Sequence, residues 1–296
     1  MYVDGVFSGG GVKAIAMLGA LEVMEKRGLE IKRAVGTSAG SIIAAFAIAG
    51  IKSEEMIDML EQVDLTMFLD SRKSFMPGGF LIRWLKLYWK LGLYRGEQLE
   101  KWVEKKLGER GIKTFGDIPP GSLRVIASDL TRGRLIVLPD DLKEYGLQSN
   151  TFSIAKAVRM SCSLPYFYEP IKIYNGSGEK SYIVDGGVLS NFPIWLFYNG
   201  SVPTERPVIG FKLSSHLEDL PPNKIKNAFQ LYQALFETMK DAHDSRYISK
   251  NYVKNIIFIP TEHMSTTNFA LTEEKKQALL ELGREKAAVF FKRWTY

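Results

Sequence analysis

Apolar residues in this chain recur at two spacings, and the order of those spacings maps a sequence of strands and helices. Val3 to Phe7 is a short apolar run around Gly5, followed by a helical pattern from 12 to 27 that Gly28 ends. A second run at 31–35 passes into a helix-like stretch at 38–49, closed by Gly50, and a helical excursion extends from 53 to about 107. Strand patterns resume at 123–128 and 134–138, then a helix at 153–160 and strands at 181–184 and 207–213. A long helix at 224–249, a strand at 255–259 and a closing helix at 272–293 complete the reading. Such alternation predicts an α/β fold whose largely parallel central sheet is covered on both faces, with ligands at the strand C-terminal ends. Gly, Pro and Ser cluster only in turns such as Pro119-Pro120-Gly121-Ser122 and Asn175-Gly176-Ser177-Gly178, so one domain is expected over 1–296.

Two glycine-rich turns between a strand and a helix carry the candidate chemistry. The first is Gly9-Gly10-Gly11-Val12-Lys13. Free N–H groups where a helix begins carry partial positive charge and suit a developing oxyanion, and Lys13 would add charge nearby. The second, Gly36-Thr37-Ser38-Ala39-Gly40, is a Gly-x-Ser-x-Gly elbow. Folding a strand sharply into a helix there is expected to strain Ser38, expose its hydroxyl and leave its backbone N–H free. Gly36 and Gly40 stand where a side chain would meet neighbouring backbone. Read as Gly9-x-Gly11-x-x-Ala14, the first turn also fits a dinucleotide fingerprint, but that motif needs an acidic residue after the second strand. Here the second strand runs into Gly36-Thr37-Ser38, which favours acyl transfer, and no cofactor is expected.

With a third motif, Asp185-Gly186-Gly187, these turns resemble the patatin-like phospholipase family, whose members carry a Gly-Gly-Gly-x-Lys/Arg loop, a Gly-x-Ser-x-Gly elbow and a later Asp-Gly-Gly or Asp-Gly-Ala. Ala127 to Gly133, Ala157 to Pro165 and Asn191-Phe192-Pro193 extend the resemblance, which is good over 3–215 as a catalytic core and looser over 216–296, a helical and strand portion of the same domain. The resemblance implies a three-layer α/β/α fold and a Ser38–Asp185 dyad. Gly9, Gly10, Gly11 and Val12 would form the oxyanion hole, with Lys13, Gly36, Gly40, Gly186 and Gly187 in support. An unperturbed aspartate, with pKa about 3.9, is a weak base at neutral pH, so burial or a strong serine–carboxylate hydrogen bond should assist it. A Ser-His-Asp triad competes on chain order, since His216, His243 and His263 all follow Asp185. Against it, Ser38 follows only the second strand, and His243 falls in a helix-like stretch.

Charge and composition narrow the partners. A formal net charge of +6 suits an anionic membrane, yet the basic residues are interspersed with acids, which argues against nucleic acid. Between Pro77 and Leu93, Phe80, Trp84 and Trp89 are interleaved with Arg83, Lys86 and Lys90, the residue types of an interfacial helix, a lid or a core-packed helix. The three histidines are far apart and no metal motif is present, so no metal is expected. A single cysteine, Cys162, excludes an internal disulfide and reads as a packed thiol, and a cytoplasmic setting with at most peripheral membrane contact is expected. The expected activity is hydrolysis of carboxylic esters in phospholipids or other acyl lipids. The alternatives are a soluble esterase or thioesterase with the same dyad, and a non-catalytic lipid-binding module.

Overall fold

A computed structural model describes residues 1–70, 87–198, 205–214, 253–261 and 266–295, together with Ile225, Leu231, Ala234, Leu235, Thr238, Met239 and Asp244. In chain order the regular elements are β1 (Tyr2–Phe7), α1 (Ile15–Lys26), β2 (Glu30–Thr37), α2 (Ala39–Ile48), α3 (Ser53–Gln62), β3 (Gly92–Tyr94), α4 (Glu97–Gly108), β4 (Leu123–Asp129), β5 (Arg134–Leu138), α5 (Ile154–Ser161), β6 (Tyr166–Tyr168), β7 (Ile171–Tyr174), β8 (Lys180–Asp185), β9 (Val208–Lys212), β10 (Ile256–Phe258) and α6 (Glu273–Arg293). The long helix expected at 224–249 lies almost wholly outside the described residues. So do Phe80, Arg83, Trp84 and Lys86.

The main sheet runs β10-β9-β1-β2-β4-β8-β7, with β5 also paired to β4. Pairing is parallel from β10 across to β4 and antiparallel in β5, β8 and β7. Strand and face alternate as a two-residue period requires. Phe7, Ala34, Val125 and Ala127 pack into the larger core with α1 and α2, whereas Val6, Val35 and Ile126 face the opposite side, against Phe192, Ile194 and Phe197. The fold is thus the expected mixed α/β arrangement, a mostly parallel sheet covered on both faces. The antiparallel arm was not foreseen, because β7 is four residues long and follows β6 after only two residues. The excursion at 53–107 also resolves differently, holding α3, α4 and the short β3, which pairs in parallel with β6.

Two long-range braces tie late segments of the chain to earlier ones. Helix α6 lies so close along α1 that a side chain at Gly19 would strike the Leu280 carbonyl, and one at Gly283 would strike that of Ala16. Arg284 adds a 2.7 Å ion pair with Glu22. On β9, the buried Lys212 ammonium lies 2.7 Å from the Asp244 carboxylate, which also accepts the Phe192 N–H at 3.0 Å. A buried pair of this kind stabilises only while both members are present, since a lone buried charge is strongly penalised.

Register then positions the site. Thr37, the last residue of β2, pairs with Ile126 of β4, and the next residue of β4, Ala127, pairs with Asp185 of β8. The residue that follows Thr37 therefore meets the end of β8 at one level of the sheet, although 147 positions separate them in sequence.

Candidate active site

Ser38 caps α2 with φ 53° and ψ −131°, a left-handed backbone for a residue that has a Cβ. Such a conformation costs on the order of 1–3 kcal/mol and persists only where the surroundings over-determine it. The surroundings here do so. A side chain at Gly36 would collide with the Gly40 backbone, and one at Gly40 with the carbonyls of Phe7 and Ser8. Ser41 N–H and Oγ–H both donate to the Ser38 carbonyl. One expectation is corrected: the Ser38 N–H is not free, but donates at 2.8 Å to Ser161 Oγ, whose own proton goes to the Ile126 carbonyl.

Ser38 Oγ donates to Asp185 Oδ2 at 2.6 Å. Asp185 is buried, its other oxygen accepts the Gly187 N–H at 2.7 Å, and its own N–H donates to the Ser163 carbonyl at 2.9 Å. Those bonds fix the carboxylate in rotation, so one oxygen is presented to the serine. Gly186 is needed by space alone, because a Cβ there would run into the Ile126 carbonyl. Geometry of this kind lets a carboxylate take the serine proton as a bond forms at Oγ.

The first glycine turn divides into used and open donors. Gly9 N–H donates to the Asn191 carbonyl at 3.1 Å and Val12 N–H to that of Thr266 at 3.2 Å. Among the described residues, the N–H groups of Gly10 and Gly11 have no acceptor, and both residues line the cavity that holds Ser38 and Asp185. Of the four residues expected to form the oxyanion loop, the structure therefore brings two open donors to the site and uses the other two as braces. Lys13 is buried in the short helical turn Gly11–Ala14 and does not line the cavity.

The cavity has a volume of about 560 Å³ and an overwhelmingly apolar lining drawn from α1, α2, α3, α4 and the segment 164–168. Cavities of this size and polarity are typical sites for small organic ligands. Its polar exceptions include Ser38, Asp185 and Asn191. Asn191 stands in the sequence only as part of a motif, yet its buried Oδ1 has no hydrogen-bond partner among the described residues, and a Cβ built on Gly9 would press on it while lying 3.1 Å from Ser38 Cβ. Ser161 was likewise hidden inside a motif. Cys162 also lines the cavity, where burial above all, and then the Asp185 charge, pushes its thiol far up.

Of the six residues expected to contact a membrane, two fall among the described residues. Trp89 and Lys90 lie on an exposed stretch that begins beside the cavity-lining Leu87, and His216, His243 and His263 lie outside the described residues. Among the described residues, no group of three or more His, Cys, Asp or Glu side chains is arranged to hold a metal ion, and no helix is long and apolar enough to cross a membrane.

Comparison with known proteins places this geometry in a family. The chain is 55% identical over 296 residues, the full length of both proteins, to the uncharacterized protein YqhO of Bacillus subtilis. It is 27% identical over 197 residues, covering 64% of this chain and 61% of the other, to the probable lipid hydrolase 463L of Invertebrate iridescent virus 6. The crystal structure of VipD from Legionella pneumophila superposes with a TM-score of 0.55 at 18% identity, over 98% of this chain and 66% of that one, a likeness of fold. The profile of the patatin-like phospholipase family matches residues 5–198, the span that holds both glycine turns, Ser38 and Asp185. This chain belongs to the patatin-like phospholipase family.

Proposed function

We propose that the protein is a serine lipid acyl hydrolase of phospholipase A or lysophospholipase type, acting through Ser38 and Asp185 without a metal, as one domain over 1–296. The observation that carries the reading is the 2.6 Å hydrogen bond from Ser38 Oγ to Asp185 Oδ2 within a large apolar cavity. Ser38 Oγ attacks the ester carbonyl carbon while its proton passes to Asp185. The carbonyl oxygen, now negative, is received by the Gly10 and Gly11 N–H groups, aimed before the reaction begins and so requiring little reorganisation. The intermediate collapses, the alcohol leaves with the proton from Asp185, and the acyl group stays on Ser38. Water then attacks the acyl carbon, gives its proton to Asp185, and releases the fatty acid as the proton returns to Ser38 Oγ.

The apolar lining favours lipid acyl chains over short soluble esters. Tyr88 and Trp89, 75% and 74% exposed beside Lys90 and next to the cavity-lining Leu87, support contact with an anionic bilayer, since aromatic and basic residues suit the interface. The test is fatty-acid release from mixed anionic phospholipid vesicles by wild type, Ser38→Ala and Asp185→Asn, each with and without chelator. Wild type should release fatty acid regardless of chelator, and both variants should fall by at least about a thousandfold with unchanged folding. Wild-type rates in Asp185→Asn would sink the dyad. Turnover of a short soluble ester without lipid release would instead favour a soluble esterase.

A further inference from the structure

The cavity wall contains a straight stripe that begins at Ser38. Ser38, Ile42 and Phe46 all line the cavity at successive four-residue steps along α2, with Ala39 and Ile43 beside them, so one face of one helix runs from the serine into the apolar interior. Phe46 is the last residue of α2 on that wall. It is 2% exposed, and its ring packs 5.5 Å from Trp102 of α4, whose ring in turn lies 5.5 Å from Phe68. All three rings line the same cavity.

We propose that this stripe measures the acyl chain, and that the Phe46–Trp102 contact stops it at medium length. The inference rests on the acyl hydrolase reading and adds the identity of the chain it accepts. Eight residues of helix advance about 12 Å at roughly 1.5 Å per residue. An extended alkyl chain with C–C bonds of about 1.5 Å advances roughly 1.25 Å per carbon along its zigzag, so about ten carbons fill the distance from Ser38 to Phe46. Each carbon up to that limit leaves water for an apolar wall, and each one beyond it meets tilted and edge-on aromatic rings that cannot shift without losing their packing. Ile42 stands halfway along the stripe, so a larger side chain there should shorten the ruler, and removal of the Phe46 ring should lengthen it.

The experiment is the profile of kcat/KM across p-nitrophenyl esters of 4 to 16 carbons, each kept below its micelle concentration, for wild type, Ile42→Phe and Phe46→Ala. Relative rates within each protein are compared, so a loss common to all lengths cancels. For wild type the rate should rise by about fourfold per added carbon up to roughly ten carbons and then fall. Ile42→Phe should move the optimum to about six carbons and Phe46→Ala to about fourteen, a shift of one helical turn's length in each direction. A second arm reads binding directly, as quenching of tryptophan fluorescence in Ser38→Ala by free fatty acids of the same lengths, and should give the same break near ten carbons. A wild-type ester optimum at sixteen carbons together with fatty-acid binding by Ser38→Ala that strengthens up to sixteen carbons, or ester profiles that coincide in wild type, Ile42→Phe and Phe46→Ala, would overturn the ruler. Fatty-acid binding by Ser38→Ala that breaks near ten carbons, with no ester turned over by wild type, would instead overturn the hydrolase reading while leaving the ruler standing.

Discussion

The two glycine turns leave adjacent strands and enter successive helices, yet they are held in opposite ways. The elbow is closed on itself. Gly36 and Gly40 touch, Gly40 presses on the end of β1, and Ser41 bonds back to the Ser38 carbonyl, all within a few dozen residues. The Gly9–Val12 turn makes few such local bonds and is braced from far along the chain, by Asn191 at Gly9 and by Thr266 at Val12. The difference matches the tasks proposed for each. A strained serine needs enclosure from all sides. An oxyanion site must keep donors open, so its support has to come from neighbours that occupy the other N–H groups and leave Gly10 and Gly11 facing the cavity.

The largest effect that would break this comparison is expected at the elbow. Gly40→Ala drives a Cβ into the Phe7 and Ser8 carbonyls, backbone atoms that cannot yield, and should lower stability by more than about 4 kcal/mol in a denaturant melt. Near-native stability would mean that the elbow tolerates expansion. Gly10→Val should behave oppositely. Gly10 has extended backbone, with φ 171°, and a Cβ there first meets the mobile end of the Leu213 side chain, so the fold should survive. Turnover should nevertheless fall by about 10²–10³, the usual loss when one oxyanion donor is compromised. Equal turnover would remove Gly10 from that role.

Ser161→Ala sharpens the contrast at smaller scale, since it strips the acceptor from the Ser38 N–H and should cost about 1–3 kcal/mol of stability. An unchanged melt would mean the elbow does not depend on that bond. The smallest effect concerns Cys162. Its thiol is pushed up by burial and so stays protonated, and thiolate is the reactive form. Iodoacetamide at pH 8 should therefore leave Cys162 unmodified in the native protein and label it only after unfolding, as read by intact mass. Rapid native labelling would contradict the packed-thiol assignment.

Much of the elbow was legible because its determinants are local: two glycines and a serine between a strand and a helix encode the turn wherever they occur. Asp185 was legible through its motif, although its meeting with Ser38 depends on the β2–β4–β8 register, which no single segment specifies. The braces were not legible. Asn191, Ser161 and Thr266 act through carbonyls, a hydroxyl and packing, and backbone acceptors leave no trace in residue type. The cavity was invisible for a related reason. Ile42, Met56 and Trp102 carry the same apolar periodicity as residues that fill a core, and only the assembled helices reveal that these side chains surround space. The short strands β6 and β7 escaped because three or four residues give too little alternation to read.

The central claim is that Asp185 activates Ser38, and covalent labelling by a fluorophosphonate tests it most directly. The serine oxygen displaces fluoride from phosphorus, and intact mass with peptide mapping reports where and how fast. The account predicts one adduct per chain, on Ser38, formed at least about a hundredfold more slowly in Asp185→Asn. An adduct on another residue, or equal rates in the two proteins, would contradict it.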